Sequence, residues 1–255
     1  LLAERLNLVL FSTPGDLVSL ERMVRLGMPA VKISSGLMTN LPLIAAAAGH
    51  GLPIIISTGL AYEAEIEAAA SAARGALGLA FLKCTALYPA PDDTLNLTAI
   101  STMAERFGVP IGYSDHTIDA LACTAAVALG ATIIEKHFTL DNSLPGADHH
   151  ISMEPVQFAA MVVQIRRLQD MRGNGSTHPV PKEESVRAER HRCLVARADI
   201  KVGEIFTAQN VALKRPLPGN SGLPPSQYEL ILGCAALRKV RCNEPITGDA
   251  VVGLN

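Results

Sequence analysis

The chain has 255 residues, 49% hydrophobic and 18% charged, with a formal net charge of −2 and no Trp. That balance is ordinary for a packed globular protein and excludes disordered, collagen-like and disulfide-scaffold classes; without a block of Lys and Arg there is also no footprint for nucleic acid or an anionic membrane. The apolar stretches are broken early by charges, Gly or Pro, short of the roughly 20 residues a membrane-spanning helix needs, and the five cysteines are scattered, with no C-x-x-C pair, as in a protein of a reducing, cytoplasmic compartment.

The first residue is Leu, and residues 1–6 read as the last turns of a helix already under way, so a truncated N-terminus is expected. From there short β-branched runs alternate with helical segments up to residue 172, the pattern of parallel strands covered by helices. The predicted strands are 8–12, 29–33, 53–57, 79–84, 109–113 and 131–136; the predicted helices are 16–26, 41–49, 62–74, 96–107, 117–129 and 154–172. Asp16, Asn40, Asn96 and Thr117 are candidate N-caps, because their side-chain oxygens can accept orphan backbone N–H bonds, and a Gly follows nearly every helix. Ile54-Ile55-Ile56 is apolar at consecutive positions, as in a strand covered on both faces.

An open doubly wound sheet and a (β/α)8 barrel both fit this pattern. There is no G-x-G-x-x-G loop, and polar residues gather instead at the strand C-terminal ends: Ser12-Thr13, Lys32 with Ser34-Ser35, Ser57-Thr58, Lys83-Cys84-Thr85, Ser114-Asp115-His116 and Glu135-Lys136-His137. In a barrel these ends converge on one mouth, which favours a TIM barrel. Six strands then imply two strand–helix units before Leu1.

Residues 173–190 have linker composition, and residues 191–255 read as short β-rich pieces around turns, with a Pro/Gly/Ser-rich loop at 216–225. The expected division is a partial barrel at 1–172, a linker at 173–190 and a small β-rich domain at 191–255 that is marginal by itself.

His116 and His137 each follow a predicted strand directly, and the strands are neighbours. Two neutral imidazoles so placed can bind one divalent ion and leave coordination positions open, or they can be hydrogen-bonded structural residues. Asp148, in the loop beyond, could orient a polar substrate. Lys32 and Lys136 stand at strand ends, where a lysine pairs with a phosphate or carboxylate, serves as a Schiff-base amine or extends from the barrel rim to water. Ser34, Ser57 and Ser114 would offer hydroxyls to an anionic oxygen, or cap helices.

Tyr113-Ser114-Asp115-His116-Thr117, then residues 134–139 (IEKHFT) and 145–149 (PGADH), resemble the signature of the sialic acid synthase family. Ser12-Thr13-Pro14, Lys32-Ile33-Ser34-Ser35-Gly36, Ser57-Thr58-Gly59, Cys84-Thr85 and Tyr88-Pro89 match in the same order, and Ala198-Asp199-Ile200, Gly203-Glu204 and Lys214-Arg215-Pro216 are similar to the antifreeze-like (SAF) domain that ends these enzymes. The resemblance implies a metal-dependent transferase of carbohydrate biosynthesis that condenses phosphoenolpyruvate with the open-chain aldehyde of an N-acylated mannosamine or related sugar, giving a nonulosonic acid and phosphate. It makes His116 and His137 the ligands of Mn2+, with Mg2+ or Co2+ as substitutes. Lys32, Ser57 and Ser114 would hold phosphoenolpyruvate, with Ser35 a further phosphate donor. Tyr88 and Asp148 would contact the sugar, and Arg215 would reach the sugar's N-acyl group in the partner subunit of a domain-swapped homodimer.

Three positions depart from the family pattern. Leu37 stands where Glu or Asp is usual, Ala86 where Asn, Thr or Ser is frequent, and Lys83 where His is common; these leave the sugar undefined. The family's catalytic Glu and an early phosphate-binding Lys have no counterpart, so the polypeptide as written is expected to be inactive or poorly folded. The rival readings are a Schiff-base aldolase on a TIM barrel using Lys32 or Lys136, an ice- or sugar-binding module in the C-terminal domain, and a non-catalytic fragment.

Overall fold

The computed structural model describes residues 2–217 and 219–254, apart from the side chains of Ser185, Ala188 and Glu189. Leu1 of the expected opening helix, Pro218 of the expected 216–225 loop and Asn255 at the chain end lie outside the described residues. The chain divides into two compact units, Leu1–Gly175 and Ser176–Asn255.

In the first unit the order is α1 (Leu2–Arg5), α2 (Leu17–Arg25), β1 (Val31–Ile33), α3 (Leu41–Gly49), β2 (Ile54–Ser57), α4 (Glu63–Ala72), β3 (Leu79–Cys84), α5 (Ala99–Phe107), β4 (Ile111–Asp115), α6 (Leu121–Ala128), β5 (Ile134–Lys136) and α7 (Pro155–Arg172). The five strands form one parallel sheet in sequential order β1-β2-β3-β4-β5, the alternating α/β pattern read from the sequence. Residues 8–12, expected as a sixth strand, make a single bridge from Ser12 to Val31. Lys32 N donates to Ser12 O at 3.0 Å, while Leu8, Val9 and Leu10 are 62%, 74% and 57% exposed. Its composition suits a strand, but only its last residue meets a partner.

Caps explain the helix starts. The Asp16 carboxylate accepts from Ser19 N at 2.6 Å and the Asn40 side chain from Leu43 N at 3.3 Å, as expected. Asn96 and Thr117 do not cap. Asn96 has a left-handed φ of 45° two residues before the Thr98 cap of α5. Thr117 bonds the Asp115 carboxylate instead, and α6 begins at Leu121, whose N–H donates to Asp119.

Strand alternation sorts the sheet into two faces. Val31, Ile33, Ile54, Ile56, Phe81, Ile111 and Tyr113 point into the helix layer and are buried with Leu20, Leu43, Ile44, Ala69, Ile100 and Ala126. Each fully buried Ile or Phe contributes about 1.5–3 kcal/mol. The other parity carries Lys32, Ser57, Leu82, Cys84, Gly112, Ser114 and Glu135. Gly112 is obligatory there, because an added Cβ would stand 2.5 Å from Ile133 O and from Leu82 Cδ2.

The second unit contains α8 (Pro181–Arg190), β6 (Cys193–Ala196), β7 (Val211–Lys214) and α9 (Tyr228–Ile231). Residues 181–190 had linker composition, yet Pro181 at the first helical position and Glu183, whose carboxylate accepts from Val180 N at 3.0 Å, start a helix. Strands β6 and β7 pair antiparallel, and isolated bridges at Val195–Pro245, Ile200–Val240, Ile205–Ala235 and Ala236–Val251 tie the later pieces together. The unit has its own core of Leu194, Ile200, Phe206, Val211, Ile231, Val240 and Ile246. No described helix is long and apolar enough to cross a membrane.

Candidate active site

Alternation along five parallel strands brings the polar face together at the C-terminal end of the sheet. Lys32 Nζ donates to Ser57 Oγ at 2.7 Å and to Ile33 O at 3.1 Å, and lies 3.4 Å from Glu135. Ser114 Oγ donates to the same Glu135 carboxylate at 2.6 Å. Lys32, Ser57 and Ser114 are all buried. Burial pushes the Lys32 ammonium below its ordinary pKa, and the Glu135 carboxylate partly restores it. The Lys32 ammonium and the Ser114 hydroxyl thus converge on a single carboxylate, with Ser57 held against the ammonium; these are donors an external anion can use.

Ser35 and Cys84 border this cluster. Ser35 Oγ accepts from Gly59 N at 3.0 Å. A Cβ at Gly59 would lie 2.8 Å from Ser35 Oγ and 3.1 Å from Cys84 Sγ, so the close approach depends on glycine. Burial pushes the Cys84 thiol up, but side-chain hydrogen bonds with His116, Ser35 and Ser114 outweigh it and hold the thiol below its usual value.

Beyond Cys84 stand the two histidines, with ring centroids 5.2 Å apart. His116 Nδ1 is 2.8 Å from Thr85 O and 3.8 Å from Cys84 Sγ. A carbonyl only accepts, so Nδ1 carries the proton and the neutral ring keeps its lone pair on Nε2. Tyr88 lies over His116 with ring centroids 4.0 Å apart and meets His137 at 5.7 Å; Asp148 Oδ2 is 3.9 Å from His137 Nδ1. Burial, then the neighbouring His116, lowers the His137 pKa. For His116 burial also lowers it, but the hydrogen bonds with Cys84 and Thr85 carry it above the ordinary value. Two adjacent imidazoles, one with its tautomer fixed by a backbone carbonyl, fit a divalent ion held through few protein ligands. Among the described residues no group of three or more His, Cys, Asp and Glu forms a metal cluster.

The NeuB family model matches residues 1–177, and a SAF domain model matches residues 191–252. The chain belongs to the NeuB family. It is 40% identical to the N,N'-diacetyllegionaminic acid synthase of Campylobacter jejuni, over 96% of this chain and 73% of that protein. It is 41% identical to a Methanocaldococcus jannaschii protein over 84% of this chain, and spans 64% of that relative's length. Among solved structures it resembles N-acetylneuraminic acid (sialic acid) synthetase from Leptospira borgpetersenii, in complex with citrate, with a TM-score of 0.69 and 36% identity over 72% of this chain and 65% of that one.

Within this NeuB-family site the structure separates residues that the sequence placed together, and strand parity is the cause. Lys136, expected at the mouth, points to the helix-covered face. Its Nζ donates to Asp115 Oδ2 at 2.7 Å, to Asp119 O at 3.1 Å and to Thr117 O, with the Lys136 and Asp115 side chains 1% and 0% exposed. All three of its N–H donors are used, which leaves Lys32 as the lysine of the Schiff-base reading. Glu135, Cys84 and Asp115 were not singled out as site residues; the two-residue spacing from Glu135 to His137 and from Ser114 to His116 would have found Glu135. Leu37 packs against the helix-layer core, Ala86 is half-buried beside Gly59, and Lys83 donates to Cys84 O at 3.0 Å. Arg215 is exposed just after β7 of the second unit.

Proposed function

We propose that this chain carries the substrate-binding part of a nonulosonic acid synthase, which joins phosphoenolpyruvate to the open-chain aldehyde of an N-acylated mannosamine-type sugar and releases phosphate. One observation carries the reading: the Lys32 ammonium, bonded to Ser57, and the Ser114 hydroxyl meet at one carboxylate, and Cys84, in register with Ser114, stands 3.8 Å from His116, whose ring is paired with that of His137. Lys32, Ser57, Ser114 and Ser35 bind and orient phosphoenolpyruvate, replacing their contacts to Glu135 and to one another. His116 and His137 would hold Mn2+, or Mg2+ or Co2+ in its place, and such an ion polarises an aldehyde oxygen as a Lewis acid. Tyr88 and Asp148, beside the two rings, contact the sugar.

The wider reading is part of the same proposal: a complete (β/α)8 barrel with two further strand–helix units, a division at 1–172, 173–190 and 191–255, and a cytoplasmic, domain-swapped homodimer in which Arg215 binds the sugar's N-acyl group on the partner's barrel. The relatives' names support the substrate class without choosing the sugar. Calorimetric titration of the chain with phosphoenolpyruvate tests the core of it. Binding is expected in the native chain and is expected to be lost in Lys32→Met. In a chain extended by the two proposed strand–helix units, phosphate release with Mn2+ and N-acetylmannosamine should stop on chelation. A covalent adduct trapped by borohydride with pyruvate would instead establish Schiff-base chemistry.

A further inference from the structure

Behind the two histidines, on the helix-covered face, lies a closed polar network. Asp115 and Lys136 are paired in register across β4 and β5, and each immediately precedes a histidine, His116 and His137. Asp115 Oδ1 accepts from Tyr113 OH at 3.1 Å and Thr117 N at 3.0 Å; Oδ2 accepts from Lys136 Nζ at 2.7 Å, Thr117 Oγ1 at 2.9 Å and Cys123 Sγ at 3.2 Å. Lys136 uses its remaining donors on the Thr117 and Asp119 carbonyls. Neither side chain has a polar valence left for water or substrate. Desolvation offsets most of the attraction in a buried pair, so net stability is a weak reason for this one.

Geometry supplies a stronger reason. The network ties together the ends of two neighbouring strands, the 117–119 turn and, through Cys123, helix α6. The next residue on each strand turns its imidazole to the opposite face. Each histidine backbone is then held a second time, His116 O accepting from Ala90 N at 3.0 Å and His137 O from Met153 N at 2.8 Å. We infer that Asp115 and Lys136 are positioning residues whose ion pair sets the separation of the His116 and His137 rings, and through it the affinity of the site for a divalent cation. The affinity half of this inference rests on the metal-binding reading above; the ring separation does not.

The test compares the native chain with the neutral double variant Asp115→Asn/Lys136→Met, which keeps side-chain volume and leaves no unpaired buried charge. Ile100→Ala, which destabilises the same unit away from the network, is the control. In the metal-free protein an NMR cross-peak between the two imidazoles is expected in the native chain and in Ile100→Ala, and is expected to vanish in the double variant. Mn2+ titration should show affinity reduced about tenfold or more in the double variant alone, the usual loss when the groups behind metal ligands are removed. A double variant that keeps both the cross-peak and the native Mn2+ affinity overturns the inference. A native chain that binds no Mn2+ overturns the metal reading instead, and the cross-peak still decides the positioning role.

Discussion

Lys32 and Lys136 stand at equivalent places in the sequence, each near the end of a strand with a serine or histidine within the next two residues, yet the structure gives them opposite surroundings. Lys32 lies on the polar face, with one serine and the half-exposed Glu135 as side-chain partners, in contacts an incoming anion can replace. Lys136 lies on the helix-covered face with every donor committed and a side chain 1% exposed. The side chain's chemistry is the same in both; strand parity and the number of fixed acceptors decide which lysine can act on a ligand and which is part of the frame.

The largest effect that could break this contrast is expected from Lys136→Ala. It strands the Asp115 carboxylate in a buried network, and removing one partner of such a pair costs about 3–5 kcal/mol. Urea unfolding should show that loss; a change near zero would mean the pair is not buried as described. Next comes Gly112→Ala, which tests whether the polar face is closed midway along the sheet while open at its end. The new methyl presses on Leu82 and on the Ile133 carbonyl, and overpacking of this kind costs about 1–3 kcal/mol. A neutral result would show room on that face below the site.

Lys32→Met should move stability the other way, by a gain of about 0.5–2 kcal/mol, as when a group kept for function is exchanged for one that only packs. Its pH dependence carries a definite sign. Burial lowers the Lys32 pKa from 10.5, so below the lowered value the folded protein holds a charge on a desolvated amine and the penalty is fully present. Between the lowered value and 10.5 the unfolded chain binds more protons than the folded one, and native stability rises with pH. The advantage of Lys32→Met should therefore shrink as pH rises through that window. A constant or widening gap in parallel melts would show that the ammonium is not desolvated.

Much of this arrangement was legible in residue order. The consecutive apolar run at Ile54-Ile55-Ile56 marked a strand, although only Ile54 and Ile56 are buried under the helix layer and Ile55 on the other face is half-buried, and Asp16 and Asn40 marked helix starts where they occur. What failed had physical causes. Residues 8–12 have strand composition, but a strand needs a partner along its length, and only Ser12 has one. Thr117 looked like a cap, but its N–H and hydroxyl both donate to the Asp115 carboxylate in a turn before the helix, and the Leu121 N–H at the helix start is accepted by Asp119. Polar composition at 181–190 concealed a helix whose evidence was positional, Pro181 followed by Glu183. Clustering at strand ends named Lys32, Ser57, Ser114, His116 and His137, which the structure brings to one face of the sheet, but it gave Lys136 the same standing because clustering ignores which way a strand residue points. Glu135 was passed over because a carboxylate is an unexpected neighbour in an anion site until Lys32 and Ser114 are seen to converge on it.

The smallest stability change, and the one that most sharpens the distinction between site and frame, is expected at the histidines. His116 makes one hydrogen bond to a backbone carbonyl within normal distance, and His137 lies half-buried with only a 3.9 Å approach to Asp148. Replacing either with Ala should therefore cost about 1 kcal/mol or less, the worth of a single hydrogen bond. Mn2+ affinity should fall in both variants, because two ligands to one ion cannot substitute for each other. If the rings are instead structural, the order reverses: stability drops by several times that amount, as in Lys136→Ala, while ion affinity stays put. Calorimetric Mn2+ titration beside urea unfolding of the two variants separates these outcomes. Unchanged affinity in both would remove the ion from the site and leave the Lys32, Ser57 and Ser114 anion cluster as the part of the proposal still standing.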